Sequence, residues 1–360
     1  LNQIICLSTK PWGNAPTRTQ HLVSRIQDAT VLYFSPAHSR FDRGYRRKGR
    51  QVRPGVTTYT LPPVLLPQGE ERSLLFRYTQ QKLGRYIAKT AARHRFHAPL
   101  LWCTCPDQVH LLNILDYDSL VYDCAQEWDD LNPLWEGGLA HSAELVFAAS
   151  EGLRDRLSPC SNNIALLPNG VNFPLFSHTS AQDARRRTRP MLGWAGTIHE
   201  DLDLSPLLEA VHQKQQWDFL LLGAQSSRNP FLPKLRQYPN VICKGQCPLV
   251  EVPEYLAQCC VLMDFQRANQ AGGDIVPSRI YEYLAMGKPI VSMHDPDQVD
   301  RFPDVIYAAH SSREFLTLCQ HAMEESPHWI FERRRAVAQA ASWANRGAEV
   351  NQILTTAGLL

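Results

Sequence analysis

The stretch Asp274-Ile-Val-Pro-Ser-Arg-Ile-Tyr-Glu-Tyr-Leu-Ala-Met-Gly-Lys-Pro-Ile-Val-Ser292 reads as a loop, a short helix, a stop and a buried strand. Gly272 and Gly273 make the incoming loop compliant, because glycine adopts turns that other residues resist. Pro277 suits the first helical turn, where the N–H it lacks would have had no partner. Gly287 and Pro289 then stop the helix after about two to three turns, since glycine takes the left-handed cap and proline cannot continue. A helix start offers outward N–H groups and favours an anion. Phosphates held at Pro277, Ser278, Arg279 and Ile280, with ribose hydroxyls on the Glu282 carboxylate, would suit a nucleotide. Taken alone, Glu282 reads better as an exposed helix residue paired with Arg279, contributing only ~0.2–0.5 kcal/mol, and the surrounding pattern is what turns the reading to ribose.

Composition bounds the rest of the chain. At 360 residues two domains of ordinary size are expected, and 44% hydrophobic with 20% charged residues describes a globular protein. A formal net charge of +2 calls for no nucleic-acid partner. No apolar run approaches the roughly 20 residues that span a bilayer. The opening Leu-Asn-Gln-Ile-Ile-Cys-Leu-Ser reads as a first strand rather than a signal peptide. The ten cysteines lie largely in apolar patterns and read as buried, reduced thiols. Cys103-Thr-Cys105 and Cys243-x-x-x-Cys247 do not match zinc-site spacing, so no metal is expected.

Strands alternate with helices along both halves. Ile4–Ser8 leads through a loop bearing Gly13 to a helix capped by Thr17, and Val31–Pro36 is the next strand. Further strands are expected at Pro99–Trp102, Ser119–Tyr122, Ala143–Ser150 (with Ser150 as a helix cap) and Ile164–Val171. A second series begins at Met191–Gly196, with a helix capped at Ser205-Pro206, and continues through strands at Phe219–Gly223, Val241–Cys243 and Cys260–Met263. Neither half carries Gly-x-Gly-x-x-Gly, which weakens a hydride-transfer reading. The acid-x-acid pairs at Asp116/Asp118, Asp201/Asp203 and Asp295/Asp297 are scattered and read as chance. Arg40–Arg53 holds seven basic residues against one acid, and Arg72–His97 holds no acid. These stretches suit either a solvated helix face or contact with anionic lipid or a lipid-diphosphate.

The segment around Glu282 resembles the donor-binding segment of GT-B glycosyltransferases, in particular the family 4-like retaining bacterial enzymes of surface polysaccharide synthesis. In that family two acids separated by seven residues frame this helix, and the second binds the donor ribose. Asp274 and Glu282 stand in those places, with Asp where Glu is usual. Other pieces match as well. Trp12, Arg18 and His21-Leu22 resemble the family's opening, and the Tyr122–Trp128 segment its crevice stretch. Pro168-Asn-Gly-Val171 resembles the end of its first domain, and Ser342-Trp343 its late Ser-Trp. Gly196 matches the glycine that approaches the donor phosphates, and Asp203 an acid often found after it. The arginine usual just after that glycine is absent, since Thr197-Ile-His-Glu brings no cation, and Arg279 is the substitute.

The resemblance implies two Rossmann-like domains facing across a cleft. These are an acceptor-side domain at 1–176, a linker at 177–189, a nucleotide-sugar domain at 190–328 and C-terminal helices at 329–360 crossing back to the first. It implies transfer of a sugar from a UDP- or GDP-sugar to a glycan or lipid-linked acceptor, with retention and without metal or tightly bound cofactor. Asp274 and Arg279 would act at the reacting centre. Gly13, Gly196, Asp203, Gly272, Gly273 and residues 277–282 would hold the donor, and Asp123 and Glu127 would face the acceptor. A cytoplasmic protein at the inner face of the plasma membrane follows from the same resemblance and the basic stretches. Two other readings stay open: a nucleotide-sugar epimerase, and a non-catalytic sugar-nucleotide-binding partner in a polysaccharide assembly complex.

Overall fold

The computed structural model describes residues 2–13, 15–39, 41–64, 74–178, 187–265, 274–293, 302, 304–325 and 328–360. Gly272 and Gly273, Arg40, Arg72 and the Asp295/Asp297 pair lie outside these. The chain divides into two compact units, Leu1–Pro168 with Ala344–Leu360, and Asn169–Trp343.

The first unit is built on an eight-stranded sheet of β1 (Asn2–Leu7), β2 (Ala29–Ser35), β3 (Arg50–Arg53), β4 (Val56–Thr60), β5 (Leu100–Cys103), β6 (Ser119–Cys124), β7 (Leu145–Ala148) and β8 (Ile164–Leu166). Their order is β3-β4-β2-β1-β5-β6-β7-β8. All neighbours run parallel except the β3–β4 hairpin. Strands β5, β6 and β7 are buried along their whole length, because helices cover both faces of a parallel sheet. The order reverses between β1 and β5, which opens a crevice beyond their carboxyl ends. Thr17 takes the N-cap position of the Arg18–Val23 helix, though the capping bond there is from its own N–H to Gln20 Oε1 at 3.3 Å, and Ser150 Oγ accepts the Leu153 N–H at 3.2 Å at the start of the Glu151–Leu157 helix.

The second unit carries a six-stranded parallel sheet of β9 (Met191–Ala195), β10 (Asp218–Leu222), β11 (Val241–Lys244), β12 (Val261–Asp264), β13 (Ile290–Ser292) and β14 (Tyr307–Ala308). Their order is β11-β10-β9-β12-β13-β14, reversing at β9/β12. One core layer is centred on Leu262, Tyr283, Leu284 and Ile290, and a second on Trp194, Phe219, Met263 and Phe315. The expected α/β architecture of two parallel sheets is therefore present.

The structure sets three element boundaries. First, the C-terminal helices expected at 329–360 are His328–Ala340 and Trp343–Thr356, with a break at Ala341-Ser342. The break lets Val171 join it, donating its N–H to Ala341 O at 3.1 Å and accepting from Trp343 N–H at 2.9 Å. Beyond the break the last helix belongs to the first unit, where Asn351 accepts the Gln27 N–H and donates to Arg25 O, each at 2.8 Å. Second, Pro277 is not the first helical residue but the cap before it, in an extended conformation that suits the residue ending a loop. Third, Ser205 is the first helical residue, and its N–H is taken by Asp203 Oδ1 at 2.9 Å.

Candidate functional site

The Ser278–Ala285 helix connects β12 to β13 and begins beside the switch point of the second sheet. Its apolar residues Ile280, Tyr283 and Leu284 are buried, which fixes which face turns outward. Gly287, at φ +69°, closes it in the left-handed conformation expected of a glycine stop. No side chain caps its start, and Pro277 has no N–H, so the first-turn donors are arranged as in helix-terminal anion sites. The Ile280 N–H turns back to Pro277 O at 3.0 Å, and its side chain packs in the core, so Ile280 is a supporting residue. Asn169 Nδ2 donates to Val276 O at 3.0 Å, tying the Pro-Asn-Gly turn to the backbone that enters the helix.

The structure brings Gly196 and Arg279 together. A Cβ on Gly196 would lie 2.9 Å from Arg279 Nη1 and 3.0 Å from the Trp194 ring, so only glycine leaves this approach open. The guanidinium stacks on Trp194 at 5.1 Å and is held edge-on by Asp264 at the end of β12. Nε reaches Asp264 Oδ1 at 2.7 Å and Nη2 reaches the same oxygen at 2.5 Å. Burial lowers the Arg279 pKa, but Asp264, with Tyr283 and Glu282 beside it, raises it on balance, so the cation is permanent. Arg279 is thus paired with Asp264 and not with Glu282. Sequence spacing suggested a local partner, whereas the actual one is fifteen residues earlier on a neighbouring strand.

Glu282 lies one helical turn further on and is partly buried. Burial pushes its carboxyl up to about 7, with Arg279 opposing only in part. It is not the freely solvated surface carboxylate that its place on a short helix suggests. Tyr283 receives the Ala195 N–H on its hydroxyl at 2.8 Å, pinning the helix to the end of β9. The loop after Gly196 is held from the other side. Ile198 N–H donates to Ala224 O at 2.8 Å, and buried Asn229 donates to His199 O and Leu202 O at 2.8 and 3.0 Å. Asp203, expected on the donor side, spends an oxygen on the Ser205 N–H at the start of the next helix. Asp274 is partly buried at the entry to the helix.

In the first unit the expected residues divide. Gly13 lies in an exposed loop with open space beside it, next to Trp12, whose ring meets Tyr33 edge-on at 5.0 Å. Asp123 is 1% exposed and accepts from Arg18 at 2.9 and 3.0 Å, so it anchors a helix to β6 and does not present a carboxylate to solvent. Glu127 pairs with Arg156 at 3.2 Å, and Arg156 also binds Glu136, which takes the Tyr122 hydroxyl at 2.8 Å. A pocket of about 400 Å³ opens at the β1/β5 crevice, walled by Leu7, Leu61, Phe76 and Trp135, with Asp107 and Gln108 among its polar residues. Neither residue stood out in the sequence, because both lie in the short 3-10 helix Pro106–Leu111 after β5, which carries no motif. All ten cysteines are free, and burial raises the Cys103, Cys105, Cys124, Cys259 and Cys319 thiols, as expected of reduced core residues.

Comparison with known proteins agrees with this geometry. Residues 200–352 match a family model described as glycosyl transferase-like. A Bacillus subtilis (strain 168) protein, TuaH, described as a teichuronic acid biosynthesis glycosyltransferase, is 24% identical, with 94% of each chain covered. Among solved structures, sucrose-phosphate synthase from Thermosynechococcus elongatus superposes with a TM-score of 0.78 at 15% identity, covering 99% of both chains. HepE from Anabaena, solved in complex with UDP, superposes at 0.72 with 16% identity, over 99% of this chain and 100% of its own. Trehalose 6-phosphate synthase from Burkholderia multivorans reaches 0.76 at 10% identity and 99% coverage of each chain. At these identities the superpositions show the fold, and that fold is GT-B.

Proposed function

Taking the chain as a GT-B glycosyltransferase, we propose that it moves a sugar from a UDP- or GDP-sugar to a glycan or lipid-linked acceptor, with retention at the anomeric carbon. The observation that carries the reading is the meeting of the Gly196 turn, the Arg279 guanidinium and the uncapped start of the Ser278–Ala285 helix. A nucleoside diphosphate needs that combination: close backbone approach, helix N–H donors and one fixed cation. The solved HepE, a neighbour of the same fold, holds UDP.

In this reading the helix start and Arg279 Nη1 stabilise the charge that develops on the leaving diphosphate. Asp264 keeps the guanidinium oriented, so little reorganisation is needed as the bond breaks. Glu282 accepts ribose hydroxyls in its ionised form, and Asp274 orients the sugar. Because the protein supplies the positive charge, the reading calls for no metal and no tightly bound cofactor. The 400 Å³ pocket of the first unit is the acceptor candidate, with Asp107 replacing Asp123 as the carboxylate offered there. The reading places the protein in the cytoplasm with peripheral contact at the inner membrane face through Arg40–Arg53 and Arg72–His97. Leu74 and Tyr78 stand exposed on the Leu74–Arg93 helix, and among the described residues no helix is long and apolar enough to cross a membrane.

The test is nucleotide release from a panel of UDP- and GDP-sugars, with and without glycan acceptors. Release that depends on acceptor, and is lost in Arg279→Ala, supports transfer. Donor bound without turnover under every acceptor would favour the non-catalytic partner. Sugar interconversion without an acceptor would favour the epimerase.

A further inference from the structure

Two basic runs that are far apart in sequence converge in the first unit. Arg46 ends the Gly44–Arg46 turn and Arg47 and Lys48 follow it, while Lys89 and Arg93 come from the Leu74–Arg93 helix, and all five line one groove of about 760 Å³. Tyr45, Tyr59 and Tyr86 form its wall. Tyr45 meets Tyr86 edge-on at 6.4 Å and lies under Arg46 at 5.5 Å. The Tyr59 hydroxyl is 2.6 Å from His94 Nε2, and its ring stacks on Phe34 at 5.7 Å. Arg46 therefore stands on an aromatic floor, and Arg93 lies close to Tyr59 and Tyr86. No carboxylate among the described residues lines the groove. Among the described residues none of the five cations belongs to a salt bridge.

Five like charges around one concavity repel one another, and an anion seated among them removes that repulsion. A single carboxylate brings one charge and two acceptor oxygens, too little for this donor set. A diphosphate brings several acceptor oxygens and more than one charge, which suits charge-assisted bonds from several side chains at once. The half-buried tyrosines also lie below the exposed cations, where a discrete group reaches them and a flat surface does not. We propose that this groove is a second anion site, taking a diphosphate or closely spaced phosphate group, borne either on a soluble molecule or on a lipid. It is built entirely from residues of the first unit and does not depend on the nucleotide reading of the second.

The experiment is calorimetric titration of the full chain with inorganic pyrophosphate, with UDP present throughout to occupy the nucleotide site. The native chain is compared with Lys89→Glu/Arg93→Glu and with Lys234→Glu/Arg313→Glu, which makes the same charge change at exposed positions outside the groove. Circular dichroism and the UDP-induced melting shift monitor folding. The expected result is pyrophosphate binding weakened at least tenfold in the groove variant alone, with its UDP shift unchanged. Absence of pyrophosphate binding in the native chain, or equal weakening in both variants, overturns the site. A second arm uses phosphatidylcholine vesicles with and without phosphatidylglycerol. Pyrophosphate that releases the native chain from the anionic vesicles assigns the site to lipid-borne phosphate, and pyrophosphate binding without vesicle binding assigns it to a soluble ligand. Vesicle binding that pyrophosphate does not compete with, and that survives the groove substitutions, overturns it. Pyrophosphate binding with no UDP response would count against the nucleotide reading alone.

Discussion

Glu282 couples the candidate site to pH. Its carboxyl is raised by burial to about 7 from an ordinary 4.5, so the folded chain keeps a proton that the unfolded chain releases. The stabilising side of this linkage is fully present below the unfolded value and is lost as pH rises through about 7. Glu282→Gln should therefore match the native stability near pH 4.5. It should exceed it by roughly 1–3 kcal/mol above about pH 8, read from urea denaturation at each pH. Ribose hydroxyls donate to the ionised carboxylate, so UDP affinity should instead rise with pH through the same window in the native chain. The Gln variant should bind more weakly and show no such step. A native affinity that falls over that range would remove Glu282 from the ribose. Arg279 and Asp264 form a second test. Asp264 is fully buried, so Asp264→Ala leaves a mostly buried guanidinium without its carboxylate and should cost about 3–5 kcal/mol of stability by chemical denaturation. At this scale the sequence singled out Arg279 and Glu282 and offered Glu282 as a partner for Arg279, where the structure has Asp264. Local spacing favours an i, i+3 pair, and nothing in it reports that the end of β12 lies alongside.

At the scale of elements, the Ser278–Ala285 helix was legible because its punctuation is chemical: a proline before the helix, a glycine at positive φ after it, and apolar residues between them. What holds that helix in place was not legible. Arg334 sits within a run of three arginines and is fully buried, donating from Nε to Val305 O at 2.8 Å and from Nη2 to Glu325 at 2.8 Å, beside the Gly287 carbonyl. Composition alone would place that run in solvent. The β3–β4 hairpin was hidden for a similar reason, since its basic residues mask the alternation expected of a strand. The glycines at the two turns of the second unit make the element-level test. Gly223 has φ +129°, and a Cβ there would overlap the Gly196 carbonyl oxygen, which is backbone and has little freedom to give way. Gly223→Ala should lose more than about 1 kcal/mol and weaken UDP binding by displacing the Gly196 turn. Gly245→Ala, where a Cβ meets nothing within 4 Å, should stay within about 0.5 kcal/mol of native and bind UDP normally. Equal effects of the two would mean that the Gly196 turn is not part of the nucleotide site.

At the scale of the whole molecule, the strand–helix alternation predicted two α/β halves, and each half has its own sheet. The crossing of the last helix into the first unit came only from resemblance, because a helix carries no local mark of which sheet it joins. The division has a thermodynamic consequence. The first unit is fastened by contacts of its own, among them the buried Arg18–Asp123 pair and the Asn351 bonds to Arg25 and Gln27. The second is fastened by its two core layers and the Arg334–Glu325 clamp. A ligand that binds only the native form of one unit stabilises that unit by mass action, by about 2.7 kcal/mol at a hundredfold excess over Kd. Scanning calorimetry should then show UDP moving the transition that Gly223→Ala lowers, while Arg18→Met lowers a transition that UDP leaves in place. A single transition, moved by the ligand and lowered by both substitutions, would show that the units unfold as one. A ligand shift confined to the transition that Arg18→Met lowers would place the nucleotide in the first unit and reverse the assignment of donor and acceptor sides.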